Sequence, residues 1–205
     1  MNRLIPRVAC VASVAAVAVM LAAPAAQAQK TETIQGGFTQ VTFASGLGTT
    51  LTGLGVTVAP VGSAEHRKGV FNFASTTGAI DLDTGLFEIL HTGGLAFTAG
   101  TNKVEFLNLL VDTSSGSTVV SGLVVANGTL VGRTPLFDLT LPTPALPLVP
   151  DRSVLQIEGI GIALDPAAAT ELNTALSTTG FTSGLDIGTA NLTLLLPWTP
   201  KHGKK

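Results

Sequence analysis

The chain has 205 residues and a formal net charge of −2, from 11 basic and 13 acidic side chains. Apolar residues make up 45% of it and charged residues 12%, whereas soluble globular domains carry roughly 25% charged residues. This composition excludes a disordered chain, which combines low hydrophobicity with high charge. The near-neutral charge also excludes an electrostatic surface for nucleic acid, so no nucleic-acid partner is expected.

The N-terminus has the three parts of a secretory signal peptide. Arg3 and Arg7 supply positive charge, residues 8–23 form an uncharged apolar run, and Ala-Gln-Ala ending at Ala28 matches the small-x-small cleavage pattern. The run is shorter than the ~20 residues that span a bilayer. Cys10 lies at its start rather than after it, which argues against a lipoprotein. We therefore predict a signal peptide at residues 1–28 and a mature chain that is secreted, extracellular or cell-wall associated.

Cleavage after Ala28 removes the single Cys and both Met residues. The remaining 177 residues carry nine basic and thirteen acidic side chains and contain no Cys, Met or Tyr. Disulfides cannot form, so the hydrophobic core alone has to stabilise the fold, which is feasible at this length. No later segment is apolar over enough residues to span a membrane. We predict one β-rich domain at residues 29–196 and a basic flexible tail at 197–205.

Short apolar runs with period-two alternation dominate the mature chain, and Gly-containing turns separate them. Lys103 and Glu105 alternate with Val104 and Phe106, which predicts a strand whose apolar side chains face inward. The Asn-Gly pair at positions 127–128 is typical of a type I′ hairpin turn. The pattern indicates an all-β fold, mainly antiparallel, built as a sandwich or a barrel-like two-layer structure.

One segment has a helical pattern instead. Asp165 is a suitable N-cap and is followed by proline, while Leu172 and Leu176 lie four residues apart on one face. These signals predict a short docked α-helix near residues 166–177, with Gly180 as its stop signal.

Two further segments depart from plain strand alternation. A weaker strand–helix–strand pattern spans residues 41–59, where Leu47, Leu51 and Leu54 have helical spacing but three glycines disfavour the helix. A partial internal duplication is one interpretation of this second strand–helix–strand pattern. Residues 142–150 contain four prolines, which predicts an extended connector rather than a central strand.

Asp83 begins an Asp-Thr-Gly triplet of the aspartic-protease type. That chemistry needs two carboxylates sharing a proton, and the similar triplet at Asp112 follows too closely to belong to a second lobe. A calcium loop at Asp81 and Asp83 would need further oxygen ligands at fixed offsets, which the sequence does not supply, and no metal site is expected. A Gly-terminated turn is the simpler interpretation. A dimeric aspartic-type hydrolase acting through Asp83 stays as a third alternative.

Other catalytic motifs are missing from the sequence, which predicts a protein that is not an enzyme. There is no Gly-x-Ser-x-Gly elbow, no P-loop and no dinucleotide fingerprint, and the mature chain has no Cys nucleophile. His66 lies in a charged segment that predicts a solvated loop, and His202 lies in the tail. His91 follows an apolar run and precedes Thr-Gly-Gly, so we expect it at a strand end beside a tight turn, as a hydrogen-bonded structural residue or as a ligand.

Residues 73–112, with DLDTGLFEILHTGGLAFTAG at their centre, resemble the HtaA-type domain of secreted and cell-wall haem-uptake proteins from high-GC Gram-positive bacteria. The later stretches VGRTPLFDLTL and VLQIEGIGIALDPAAATELNTALS resemble the second half of that family. The resemblance implies a two-layer β-rich fold. In some family members it also implies haem held by an axial Tyr with help from a nearby His.

The absence of Tyr marks this chain as a divergent member of such a family. Among common axial ligands of haem only His remains in the mature chain, so a haem site would depend on His91, with Phe87, Phe97 and Phe106 lining an apolar pocket. The same three rings are equally suited to a β core. The favoured hypothesis is a secreted or cell-envelope binding or structural module without catalysis or cofactor, whose partner is a cell-wall or surface component or a second copy. Haem binding through His91 is the alternative.

Overall fold

The computed structural model describes residues 31–114, 116–143 and 146–197. The predicted signal peptide, with Cys10 and the cleavage site at Ala28, lies outside the described residues. The predicted tail is described only at Pro197, so His202 also lies outside them.

Twelve strands and two helices make up the described part of the chain, and all strand pairs are antiparallel. The strands are β1 (Thr31–Ile34), β2 (Gly36–Phe43), β3 (Val56–Val61), β4 (Glu65–Arg67), β5 (Val70–Asp81), β6 (Phe87–His91), β7 (Gly94–Ala99), β8 (Asn102–Asp112), β9 (Val119–Ala126), β10 (Thr129–Thr140), β11 (Val154–Leu164) and β12 (Asp186–Leu195). The helices are α1 (Leu47–Gly53) and α2 (Pro166–Leu176).

Eight of these strands close into a barrel. Around the ring the order is β5, β2, β12, β11, β10, β9, β8 and β6, and β6 pairs with β5 again to complete the circle. The remaining strands pair with strands of this ring or with each other. β1 and β4 pair with β5, β7 pairs with β8, and β3 pairs with β7. The sequence did not distinguish a sandwich from a barrel, and the structure is a barrel.

The alternation of side chains explains why these segments pair. Val104 and Phe106 on β8 are completely buried, while Lys103 and Glu105 point outward and form a salt bridge of 2.6 Å. Irregularities in register interrupt several ladders, including β8–β9, and such bulges bend strands into closed barrels. The predicted hairpin between β9 and β10 is confirmed, since Asn127 and Gly128 have φ angles of 50° and 82°.

Helix α2 begins as predicted but ends earlier than its expected stop signal. The Asp165 side chain accepts a hydrogen bond of 2.6 Å from the backbone N–H of Ala167, and Leu172 is fully buried against the barrel. The helix ends at Leu176, and its C-cap residue Ser177 adopts a left-handed conformation with φ 55°. Gly180 as the stop was therefore wrong. That glycine packs against Leu54, where any Cβ would collide with the leucine side chain.

Helix α1 forms within the weak strand–helix–strand pattern. Leu47 and Leu51 lie four residues apart on one face and are both buried, and tertiary packing of this face compensates for the glycines at 48 and 53. The two helices cover the same end of the barrel, because both line one small gap there with Phe97. Neither helix in the described residues has the length and apolar character needed to cross a bilayer.

The proline-rich connector carries no strand where it is described, in agreement with its composition. It runs past the opposite end of the barrel, where the backbone N–H of Leu148 donates a hydrogen bond of 2.7 Å to the carbonyl of Leu82. Leu148 is also one of the partly buried apolar residues that pack against the core.

Candidate functional site

The barrel encloses a cavity of about 70 Å³. Sixteen of the eighteen lining residues are apolar, and they come from strands all around the ring. The two polar lining residues are Thr39 on β2 and His91 on β6. Apart from the imidazole, none of the side chains lining this described part of the barrel is ionisable. The cavity is therefore an apolar space with polar groups concentrated at one place.

His91 lies at the polar end of the cavity. It is the last residue of β6 and only 2% exposed, and its Nε2 lies 2.7 Å from Thr39 Oγ1. Strands β2 and β6 pair with opposite edges of β5, since Ser75 is opposite both Gly37 and His91. The His91–Thr39 hydrogen bond thus crosses β5 on the inside of the barrel and links β2 to β6, the two strands that pair with β5.

Burial keeps this imidazole neutral. Desolvation lowers the pKa of His91 from 6.5 to about 4, and hydrogen bonding to the backbone at Leu109 and Ile89 acts in the opposite direction without compensating. A neutral imidazole has one donor and one acceptor nitrogen. At neutral pH the cavity consequently contains no charge.

Ser75 adds a second hydroxyl at the same level of the barrel. Phe71, Phe73 and Ser75 alternate with exposed or half-buried neighbours along β5, which places all three side chains on its inward face. Ser75 is 5% exposed, and its Oγ has no hydrogen-bond partner among the residues that the structure describes. Buried hydroxyls without a partner are rare in folded proteins.

The four residues predicted for a haem pocket do not share one site. His91 and Phe87 line the barrel cavity, whereas Phe97 lines the gap beneath the two helices. Phe106 is fully buried between other rings, with centroid distances of 5.1 Å to Phe97 and 6.1 Å to Phe137. These two rings therefore have the core role that the sequence analysis gave as the other interpretation.

Two residues of the site were not predicted. Thr39 and Ser75 lie in threonine- and serine-rich strand segments whose alternation is weak, and their inward direction follows only once β2, β5 and β6 are aligned. A hint was present in β5, where alternation of Phe71 and Phe73 continues to position 75.

Haem held by His91 does not fit this geometry. Pockets for drug-sized ligands measure roughly 300–1,000 Å³, and the cavity here measures about 70 Å³. The coordinating nitrogen Nε2 is already engaged by Thr39, and the ring is almost completely shielded from solvent. The other described histidine, His66, is exposed on the short strand β4 rather than in a loop, and its ring stacks on Phe71 at 4.2 Å.

The Asp-Thr-Gly segment is a turn, as the simpler interpretation had it. One carboxylate oxygen of Asp81 accepts hydrogen bonds from the backbone N–H groups of Asp83, at 2.9 Å, and Thr84, at 3.2 Å. Within residues 31–114, 116–143 and 146–197, no three His, Cys, Asp or Glu side chains come together as a metal site would require. The structure therefore gives the Asp81 carboxylate a role in closing the β5–β6 turn.

Neither a protein-family model nor a curated protein matches the sequence. Solved structures do match. The C-terminal domain of HtaA from Corynebacterium glutamicum superposes with a TM-score of 0.62 at 15% identity, covering 81% of this chain and 99% of that one. A histidine-to-alanine variant of that domain, which is a domain-swapped dimer, gives 0.54 at 18% identity and covers 74% and 90%. The heme binding protein HtaB from the same organism gives 0.53 at 10% identity and covers 82% and 97%.

These superpositions span nearly the whole of each solved domain and most of the residues described here. Because the sequence identities are only 10–18%, the superpositions establish similarity of fold alone. They agree with the resemblance that runs through the sequence from β5 to the segment containing α2. The chain has an HtaA-like fold.

Proposed function

We propose that this protein is a secreted or cell-envelope binding module without catalytic activity. The observation that carries this proposal is the closed barrel, whose interior cavity has an apolar lining and a single neutral imidazole. Closed barrels of eight strands have an interior just wide enough for packed side chains or one small ligand. A cell-wall or surface component is the expected partner, and the domain-swapped relative supports a second copy of the chain as another.

The pairing of Thr39 with His91 does not support catalysis, although a hydroxyl beside an imidazole is the arrangement of an activated nucleophile. A general base works best when its pKa lies near the operating pH, and burial lowers the pKa of His91 to about 4. The ring is also shielded from solvent on the inside of the barrel. This pair is suited to joining β2 and β6 rather than to attacking a substrate.

Haem binding is the second candidate, and the fold similarity to the heme binding protein HtaB favours it. The cavity volume of about 70 Å³ and the hydrogen bond between His91 Nε2 and Thr39 argue against a site in the barrel interior. The candidate then requires a surface site, where the exposed imidazole of His66 on the Phe71 ring is the available nitrogen ligand among the described residues.

Titration of the purified protein with haemin, followed by the Soret band, separates these candidates. We expect no saturable one-to-one shift with the unaltered protein, and the same result with the variants His91→Gln and His66→Gln. A saturable shift that disappears in His66→Gln would establish the second candidate. A saturable shift that disappears only in His91→Gln would contradict the geometry of the barrel interior.

Export is tested by the N-terminus of the mature protein. If residues 1–28 are a signal peptide, intact mass spectrometry of protein recovered outside the cytoplasm shows a chain that begins at Gln29. Replacing Ala28 with Phe, which the small-residue cleavage pattern disfavours, is expected to retain the N-terminal segment. Recovery of the full-length chain from the unaltered protein would contradict the assignment.

A further inference from the structure

We propose that the barrel cavity is a binding site for a small, uncharged, mainly apolar molecule with one hydrogen-bonding group, which pairs with the hydroxyl of Ser75 at the end where His91 lies. This inference rests on the function proposed above and names the ligand class of the module.

The hydroxyl of Ser75 is the first observation. Its side chain lies on the inward face of β5, in the row that continues from Phe73, a residue that lines the cavity. It is opposite His91 in the β5–β6 ladder, but the imidazole uses its Nε2 for Thr39. A buried hydroxyl without a partner is unfavourable in apolar surroundings. Ser75 is not itself one of the lining residues, so a ligand hydroxyl or carbonyl has to extend past Phe73, beside His91, to satisfy it.

The apolar lining determines the polarity of the rest of the ligand. Sixteen of the eighteen side chains around the cavity are apolar, so most of the bound molecule contacts hydrocarbon. No acidic or basic side chain other than the imidazole lines this described interior. Burying an ion without a partner is strongly unfavourable, so the site selects neutral molecules.

The size of the cavity limits the ligand to a few atoms. An apolar protein cavity of ~150 Å³ takes up benzene or xenon, and this cavity measures about 70 Å³. The interior therefore fits about three or four non-hydrogen atoms on that scale. Propane and 2-propanol are a matched pair of probes of this size, because they differ only in a hydroxyl group.

Methyl-detected NMR of the purified protein, titrated separately with propane and with 2-propanol, tests the proposal. We expect saturable shifts for both probes at the methyl groups of Val41, Ile160 and Ile162, which line the cavity. Ser75→Ala is expected to weaken 2-propanol binding about two- to tenfold, the range of one net hydrogen bond, and to leave propane binding unchanged.

A cavity-filling variant gives the matched control. Ala190 lines the cavity, and Ala190→Val is expected to abolish binding of both probes. The same change at Ala74, which is exposed on β5 and directed outward, is expected to leave binding unchanged.

Three results would overturn the proposal: no saturable shift at interior methyls, shifts confined to surface methyls, or an equal effect of Ser75→Ala on both probes. The location of the shifts in the unaltered protein decides the matter even if Ala190→Val fails to fold. Failure of the wider proposal, a binding module without catalysis, would instead show as a catalytic activity, which this titration does not report.

Discussion

Lowering the pH from 7 to 4 is expected to reduce the stability of the protein by about 3 kcal/mol more than that of its His91→Gln variant. Burial lowers the pKa of His91 to about 4 in the folded protein, against 6.5 for the ordinary side chain. Between these two values the unfolded chain binds a proton that the folded chain does not. The stabilisation from the neutral ring is complete above pH 6.5 and is lost as the pH falls through 4.

Urea unfolding followed by circular dichroism at pH 7, 6, 5 and 4 measures this difference. Glutamine at position 91 keeps a side chain that can form a hydrogen bond with Thr39, but this side chain does not titrate. The stability of the variant therefore lacks the pH dependence that the histidine contributes. His66→Gln is the control, because His66 is exposed and its replacement leaves the buried imidazole in place. Parallel pH profiles for the unaltered protein and His91→Gln would contradict the assignment.

Gly94→Ala is expected to destabilise the protein by about 3 kcal/mol or more, and to do so by displacing β7 from β8. Gly94 lies opposite Leu107 in that ladder, and an added Cβ would collide with the backbone carbonyl oxygen of Phe106. A backbone atom in a paired strand cannot move aside as the end of a flexible side chain can. Because Gly94 follows His91 by three residues, the damage also reaches the polar end of the cavity.

Gly48→Ala is the matched control for this substitution. Gly48 lies in α1, and a Cβ built on it meets no atom within 4 Å. Alanine is the better helix former by about 1 kcal/mol, so this variant is expected to be as stable as the unaltered protein or more so. Thermal unfolding of both variants checks the pair. Similar melting temperatures for Gly94→Ala and the unaltered protein would show that β7 does not pack as described.

Local chemistry was sufficient to predict most individual elements. Alternation placed Val104 and Phe106 inside, and the Asn-Gly pair defined the β9–β10 hairpin. The capping aspartate at 165 marked the start of α2. Each of these signals is contained within a few neighbouring residues.

The closure of the barrel could not be predicted in the same way. It depends on β6 pairing with both β5 and β8, and on β12 pairing with β2, at the far end of the chain. Alternation tells which face of a strand is buried but not which strand lies beside it. A sandwich and a barrel therefore have the same local pattern.

The candidate site was only partly predictable for the same reason. His91 was correctly expected at a strand end beside a tight turn, and its hydrogen-bonded role was one of the two interpretations. Its partner Thr39 lies 52 residues away in the sequence. The end of α2 at Leu176 lies within one residue of the predicted end, but the residue that closes the helix is the left-handed Ser177 and not Gly180, which packs against Leu54.

The missing Tyr and the position of His91 bear on the haem hypothesis together. The family resemblance implies an axial Tyr with a nearby His, and this chain contains no Tyr. The structure places His91 inside the barrel with its Nε2 bound to Thr39. The HtaA-like fold is thus combined here with an interior cavity of about 70 Å³ that is lined mainly by apolar side chains.

The imidazole ¹⁵N spectrum of His91, recorded at pH 7 with and without haemin, tests the central claim most directly. A neutral ring held by Thr39 gives the signals of one protonated and one unprotonated nitrogen, and these signals are expected to stay unchanged when haemin is added. Selective loss or paramagnetic displacement of the His91 signals on addition of haemin would contradict the account, because it would show iron bound at the interior of the barrel.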